Sequence, residues 1–468
     1  MLCYAKFSFF LGFNFCISLL QADPKNKPNI VLFMADDMGL GDSSAYQNIS
    51  LIAGSKPITK TLKTPNLERL AKQGIIFTDA HAPASMCSST RYSLLTGRLA
   101  HRAYLKKQGW LPHGPNRPMI QKALTTLPEM LQRNGYYTGA IGKYHVGMDF
   151  DDGNGQPADE FDYKDVDFTK PLLDGPTHHG FDEFFGVPGN TEDSLDTEPR
   201  IYIRNDKWTL TDRSKMHWMG MKHRAGQILS GPNWDLSQLG PDFLKEGLQF
   251  IQVASQKQKP FFLYYVPTAN HFQRNQSGDY AVPKFLDGKP VKGTSRYTDG
   301  TKGTEREDMV IENDIAFGAL ITKLEETNDP RNPGHKLIDN TLIIFTSDNG
   351  PNVGDNEGTN QESGGLRGKK AKIWEGGHRV PFILFRKLHF EGGTINRNLF
   401  SLTDLFATMA SLVSEELKPT EAQDSLDSLA YWKNPERRDK RPRYFFCHLG
   451  PPYGNDATAS RKHSQQVN

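Results

Sequence analysis

The stretch Thr341-Leu-Ile-Ile-Phe-Thr346, followed directly by Ser347-Asp348-Asn349-Gly350, is the clearest strand in the chain. Its apolar, β-branched run has no helical period and ends abruptly on an acid and an amide, as a strand buried on both faces does. Outward from it the same pattern recurs. Asn29 to Met34 stops at Ala35-Asp36-Asp37-Met38-Gly39, and Tyr136 to Ile141 delivers Gly142-Lys143-Tyr144-His145-Val146-Gly147. Phe261 to Val266 leads to His271, Ile75 to Thr78 leads to Cys87, and Val380 to Phe385 is a further strand. Helical patterns separate these runs. Thr64 caps one that has Pro65 first, Leu67, Leu70 and Ala71 inside and Gly74 at its end. Others cover Thr126 to Asn134, Phe243 to Ala254, Glu305 to Glu326 and Leu402 to Leu412. Such alternation predicts an α/β fold: a mostly parallel central sheet with helices on both faces.

Asp36, Asp37, Cys87, Lys143, His145, His271, Asp348 and Asn349 all fall at or just beyond the carboxyl ends of these strands, the edge where open α/β sheets bind ligands. Asp36, Asp37, Asp348 and Asn349 are hard oxygen donors with no soft partner, which suits Ca²⁺ or Mg²⁺ and argues against zinc. Cys87 opens the stretch Cys87-Ser-Ser-Thr-Arg91-Tyr-Ser-Leu-Leu-Thr-Gly-Arg98, where extended chain gives way to helix with Arg91 one turn on. A thiol at a helix N-terminus beside a guanidinium is expected to have its thiolate favoured.

The 468 residues are 37% hydrophobic and 24% charged, an ordinary globular composition long enough for a large core. Fifty-six basic against 54 acidic residues leave a net charge of +2, so nothing global favours nucleic acid or an anionic membrane. Lys6, the apolar run Phe7 to Leu20 and the sequence Leu20-Gln21-Ala22 read as a cleaved signal peptide over 1–22, too short for a stable membrane anchor. Cys3 and Cys16 lie in it, so maturation leaves Cys87 and Cys447. Asn48-Ile-Ser50 and Asn275-Gln-Ser277 are glycosylation sequons in a eukaryote. The main α/β domain is expected over 23–412, with 148–223 as a loop-rich insert lacking a clean period. Residues 413–468 form a small C-terminal part with a charge run and a polar tail. The insert, tethered to Lys143 and His145, is expected to form a wall of the site, with Trp208 and Trp218 offering flat apolar faces to a ring or, as the alternative, plugging the insert's own core.

The Cys87-x-x-x-Arg91 pattern followed by Leu95-Thr96-Gly97-Arg98 resembles the signature of type I, formylglycine-dependent sulfatases, arylsulfatase-like members of the alkaline phosphatase superfamily. Gly142-Lys-x-His-x-Gly147, the block Gly180-Phe-Asp-Glu-Phe-Phe-Gly186 and Leu366 to Gly377 resemble further blocks of that family in its order. The departure is Ser89, where the family usually has proline and sometimes alanine. The resemblance covers roughly Pro28 to Leu412. It implies the alkaline-phosphatase-like fold with a small α+β C-terminal subdomain, whose final strand and helix are hard to find here.

The resemblance also implies that a maturation enzyme oxidises Cys87 to formylglycine. Its hydrate would attack the sulfur of a sulfate monoester with one hydroxyl and expel the sulfate as the other collapses to the aldehyde. Arg91 and Lys143 would hold this diol, His145 would orient it, Lys370 (or its neighbour Lys369) and His271 would grip the sulfate, and His271 would protonate the leaving oxygen. Asp36, Asp37, Asp348 and Asn349, beside the modified Cys87, would hold calcium, with magnesium the alternative. The implied partners are a sulfated small molecule or glycan and the maturation enzyme, in a secreted or periplasmic setting. A phosphodiester or phosphonate hydrolase on the same scaffold, or a non-catalytic binder of sulfated glycans that keeps its thiol, are the rival functions.

Overall fold

Asn29–Ala35 carries no charge and is buried along its whole length, so it can only be a strand flanked on both sides and covered on both faces. A computed structural model of the chain describes residues 27–52, 54–103, 114–159, 163–191, 198–220, 227–271, 280–353 and 361–437. In it this run is β1, near the middle of a ten-stranded sheet. The other strands are β2 (Ile75–Phe77), β3 (Tyr137–Lys143), β4 (Glu183–Val187), β5 (Ile203–Arg204), β6 (Lys207–Trp208), β7 (Phe261–Val266), β8 (Thr341–Ser347), β9 (Phe382–Phe385) and β10 (Thr394–Asn396). Their order across the sheet is β10-β2-β9-β8-β1-β7-β3-β4-β5-β6.

The central strands β8, β1, β7, β3 and β4 are parallel, with Ile30 opposite both Phe262 and Leu342. Alternation along β1 feeds two cores. Ile30, Leu32 and Met34 face one that includes α2 (Cys87–Thr96), α3 (Leu127–Arg133) and α7 (Leu405–Leu412), whereas Val31, Phe33 and Ala35 face α1 (Pro65–Gln73), α4 (Leu239–Ala254) and α5 (Glu305–Glu326). Phe33 stands between Tyr265 and Phe345, at ring-centroid separations of 5.0 and 5.3 Å.

The α/β class expected from the alternation is the fold observed, with helices on both faces. Three local features depart from what the sequence pattern alone implies. Thr64 does not cap α1: its hydroxyl meets that of Ser43 at 2.9 Å and accepts from the Ser44 N–H at 3.0 Å. The first turn is instead capped from across the molecule, where the Asp314 carboxyl of α5 accepts from the Asn66 and Leu67 N–H groups at 3.2 and 2.9 Å. Secondly, β9 is antiparallel to both β8 and β2, so the segment before it, not after it, lies at the ligand edge. Thirdly, the 148–223 segment is not outside the sheet. It contributes β4, β5 and β6, which escaped notice because β4 is five residues long and contains a glutamate and a glycine.

Trp208 is 4% exposed and packs between Phe150 and Phe168 at centroid separations of 4.8 and 4.9 Å. It therefore belongs to the core of this segment and offers no face to a ligand, while Trp218 is 38% exposed. Beyond Leu412 the described chain packs back onto the main body, with Trp432 fully buried at 5.6 Å from Phe400. Residues 1–22, the Asn275 sequon and Cys447 lie outside the described residues. Among the described residues no helix is long and apolar enough to cross a membrane. Trp208→Ala, which empties a packed aromatic site, should lower the stability of the folded protein by about 3–5 kcal/mol. Equilibrium denaturation checks this, and an unchanged midpoint would mean that the ring is not part of the core.

Candidate active site

The carboxyl ends of β1 and β8 lie side by side, with Ala35 opposite Ser347. Asp36 and Asp37 therefore meet Asp348 and Asn349 as soon as the strands end. Asp37 adopts a positive φ of 55°, and its N–H donates to Asp348 Oδ1 at 3.3 Å. All four side chains are fully buried. Two strands along this edge, beyond β7, β3 ends on Lys143. Gly142 precedes it at φ 116°, where an added Cβ would come within 2.1 Å of the Val266 carbonyl oxygen, so only glycine allows this exit.

Three cations are set against these acids. Lys143 Nζ donates to Asp36 Oδ2 at 2.6 Å. Arg91, on α2, donates through Nε and Nη2 to Asp348 Oδ2 at 3.1 and 2.8 Å, through Nη2 to Asp36 Oδ2 at 3.2 Å and through Nη1 to the Lys143 carbonyl at 2.6 Å. Lys370 Nζ reaches Asp37 Oδ1 and Oδ2 at 2.7 and 3.0 Å. It arrives from the segment before antiparallel β9, which places it at the same edge as residues that follow parallel strands. His271 Nε2 lies 3.9 Å from Asp37 Oδ2. His145 is buried just beyond Lys143 at φ 54°, its N–H donating to the Pro188 carbonyl at 2.8 Å.

Asn270 is a residue that the sequence did not single out. Its side-chain amide donates to the Asp37 carbonyl at 2.8 Å, bracing the turn after β1. Its only signal was its place directly before His271. His179 is buried, its Nε2 2.8 Å from Asp174 Oδ1.

The charges shift one another. Burial pushes Asp36 toward its neutral form, but Lys143, His271, Arg91 and Lys370 outweigh it and hold the carboxyl well below the usual range. Burial, then the charge of Asp36, pushes Asp348 up to about 6. Burial lowers Lys370, but Asp37, Cys87, Asp36 and Asp348 together outweigh it and raise the ammonium well above its usual range.

The expected thiolate at Cys87 is not supported. Burial pushes the thiol up to about 11, with Lys370 and Lys143 opposing and Asp36 and Asp348 reinforcing the rise. The helix N-terminus and Arg91 do not prevail against this burial, and Arg91 directs its hydrogen bonds to Asp36, Asp348 and the Lys143 carbonyl. Arg91 is thus a positioning residue for the carboxylates.

Asp36 Oδ1 and Asn349 Oδ1 are buried acceptors with no hydrogen-bond partner among the described residues. Asp36, Asp37 and His271 each bring a ligand atom within 4.8 Å of the others. Unfilled oxygen acceptors among carboxylates fit a hard divalent cation, as the donor set predicts.

A family model described as Sulfatase matches residues 28–415. The chain is similar to an N-acetylgalactosamine-6-O-sulfatase of Bacteroides thetaiotaomicron, 28% identical over 443 residues that cover 86% of this chain and 76% of the relative. It is also similar to the N-acetylgalactosamine-6-sulfatase of Sus scrofa, 30% identical over 429 residues covering 90% and 68%. Among solved structures, one from work on the metabolism of multiple glycosaminoglycans by Bacteroides thetaiotaomicron superposes with a TM-score of 0.67 at 25% identity, over 90% of this chain and 84% of that one.

In protein whose residue 87 is still cysteine, the burial and the raised thiol predict negligible labelling by iodoacetamide at pH 8 while the fold is intact, and full labelling after unfolding. Rapid labelling of the folded protein would contradict both.

Proposed function

The chain belongs to the sulfatase family, its relatives are sulfuric ester hydrolases by name, and we propose that it cleaves a sulfate monoester with formylglycine formed at Cys87 and a divalent cation held by Asp36, Asp37, Asp348 and Asn349. The observation that carries this reading is the setting of Cys87. Its side chain shares a buried pocket of charge with Lys370, Lys143, Asp36 and Asp348, where a thiol is held protonated. A protonated thiol is a poor nucleophile, so the position suits an oxidised derivative better than the cysteine itself.

When bound, the hydrated aldehyde and the cation supply the attacking hydroxyl and the neutralisation of sulfate oxygens. The chain's own residues do the rest. Arg91 fixes Asp36 and Asp348 relative to β3, so the carboxylates need no rearrangement when substrate enters. Lys143, held by Asp36, and Lys370, held by Asp37, present ammonium groups to the oxygens of the ester and to the substituent at position 87. His271, at the end of the cluster beside Asp37, is placed to give its proton to the departing alcohol oxygen. His145, buried behind Lys143, orients the group at position 87. Burial of the whole cluster excludes water and strengthens each of these interactions. The names of the relatives favour a sulfated amino sugar as the substrate class, and the N-terminal segment favours a secreted or periplasmic setting.

Protein made beside its native maturation system should yield a peptide around residue 87 with the mass of formylglycine, despite Ser89. Cys87→Ala should lower kcat on an aryl sulfate by roughly 10³-fold or more while leaving the melting curve unchanged. An unmodified cysteine in fully active protein would overturn the mechanism, and a higher kcat/KM on an aryl phosphodiester would reassign the substrate.

Chelation should abolish activity, and calcium or magnesium should restore it better than zinc because the protein donors are hard oxygens. Asp348→Ala should weaken cation binding by at least about tenfold, read by titration calorimetry. Full activity in metal-free protein would remove the cation from the reaction.

A further inference from the structure

Outside the cluster, two buried histidines meet between the segments that carry Cys87 and Lys370. His81 ends the short strand Ala80–His81, His378 ends the one-turn helix α6 (Glu375–His378), and they are 1% and 2% exposed. Their Nδ1 atoms are 3.0 Å apart. Each outer nitrogen faces an acceptor: His81 Nε2 lies 3.0 Å from Asp79 Oδ1, and His378 Nε2 lies 3.1 Å from the Ile373 carbonyl oxygen. An ionised carboxylate and a carbonyl can only accept, so each outer nitrogen carries its hydrogen. A neutral imidazole has a single N–H. Two neutral rings would therefore aim their Nδ1 lone pairs at one another, a repulsive contact in a dry interior.

We propose that one further proton sits between the two Nδ1 atoms, so that His81 and His378 form a singly charged imidazolium–imidazole bridge that positions the Cys87 segment against the Lys370 segment.

The surrounding charges call for such a proton. Arg379 Nη2 holds Asp79 Oδ1 at 3.0 Å, and Arg379 Nη1 holds Glu375 Oε2 at 2.9 Å. Glu375 also brings a carboxylate oxygen within 4.8 Å of nitrogens of both rings. Two carboxylates therefore stand beside the pair, and opposite charges at this range favour a positive charge on it. A second added proton is refused: burial, then the charge of His81, pushes His378 down to about 3.

The bridge lies among backbone bonds that join the same two segments. Ala82 N–H donates to the His378 carbonyl at 2.8 Å, Val380 N–H to Ala80 at 3.0 Å and Ala371 N–H to Ser85 at 2.8 Å. Ala371 directly follows Lys370, so the spacing at the histidines passes to the distance between Lys370 and residue 87.

The effect on turnover rests on the hydrolase reading above, whereas the protonation state does not, so the test has two arms. The first is NMR of the full chain with ¹⁵N-labelled histidine. It should show a strongly deshielded bridging N–H that disappears in His378→Asn, whose side-chain amide restores a neutral donor at the Nδ1 position. The second is the pH dependence of kcat on an aryl sulfate. Wild type should lose kcat as rising pH removes the bridging proton, His378→Asn should keep most of kcat and lack that limb, and His378→Leu should lose kcat roughly tenfold or more with KM little changed. Two neutral rings in the spectrum, pH profiles that coincide for wild type and His378→Asn, or a second equivalent of metal that is lost in His81→Asn would each overturn the proposal.

Discussion

Arg91 and the two carboxylates it joins, Asp36 and Asp348, are all at zero exposure. Charges removed from water survive only where each is met by an opposite charge in good geometry. The guanidinium meets this demand with its planar fork, reaching both acids and the backbone of Lys143 at once, which a lysine's single ammonium group would not do. Everything else at the site follows from keeping that arrangement intact. β1 and β8 must be adjacent and in register, β3 must end at the same height, and α2 must enter at the angle that delivers residue 91.

The sheet meets these demands with strands that are greasy on both faces and change character at one end. Phe33, between Tyr265 and Phe345, locks β1 to its neighbours on one side of the sheet, so the loops beyond inherit a rigid base. The reversed strand β9 adds a further device. By running against its neighbours it lets a segment from late in the chain supply Lys370 to an edge otherwise built from residues that follow strands. The antiparallel joint is also where the histidine pair sits, tying that late segment to the one bearing Cys87.

How much of this was legible in the sequence depended on whether the signal was local. The helix Glu305–Glu326 and the strand Phe261–Val266 match their sequence patterns end to end, because period and apolar run length are properties of the segment itself. The convergence of Asp36, Asp37, Lys143, His271, Asp348 and Asn349 was legible too, since a parallel sheet gathers whatever follows its strands. Lys370 came only from its block's resemblance to a family pattern, because β9's reversal has no mark in the sequence. Thr64 looked like a cap because its true competitor, Asp314, is remote in the chain. The same blindness misjudged the Cys87 thiol: its helix and Arg91 are near in sequence, but Asp36 and Asp348, which take Arg91's hydrogen bonds and reinforce the rise caused by burial, are not. Short strands such as Glu183–Val187 were hidden by their composition, and Trp208 could not be assigned to core or cleft without its neighbours Phe150 and Phe168.

Arg91 and its partner Asp348 are 257 residues apart in the chain, and this separation sets a clock. A ribosome adding about 5–20 residues per second leaves position 87 uncovered for on the order of 10–50 s before the residues that bury it have been made. During that interval the thiol belongs to an extended strip of nascent chain, open to any enzyme that reads local sequence. Once β8 docks, the same atom is out of reach. Whatever is to be done to residue 87 must therefore be done before the chain folds, and a chain that folds before it is served carries its cysteine for life.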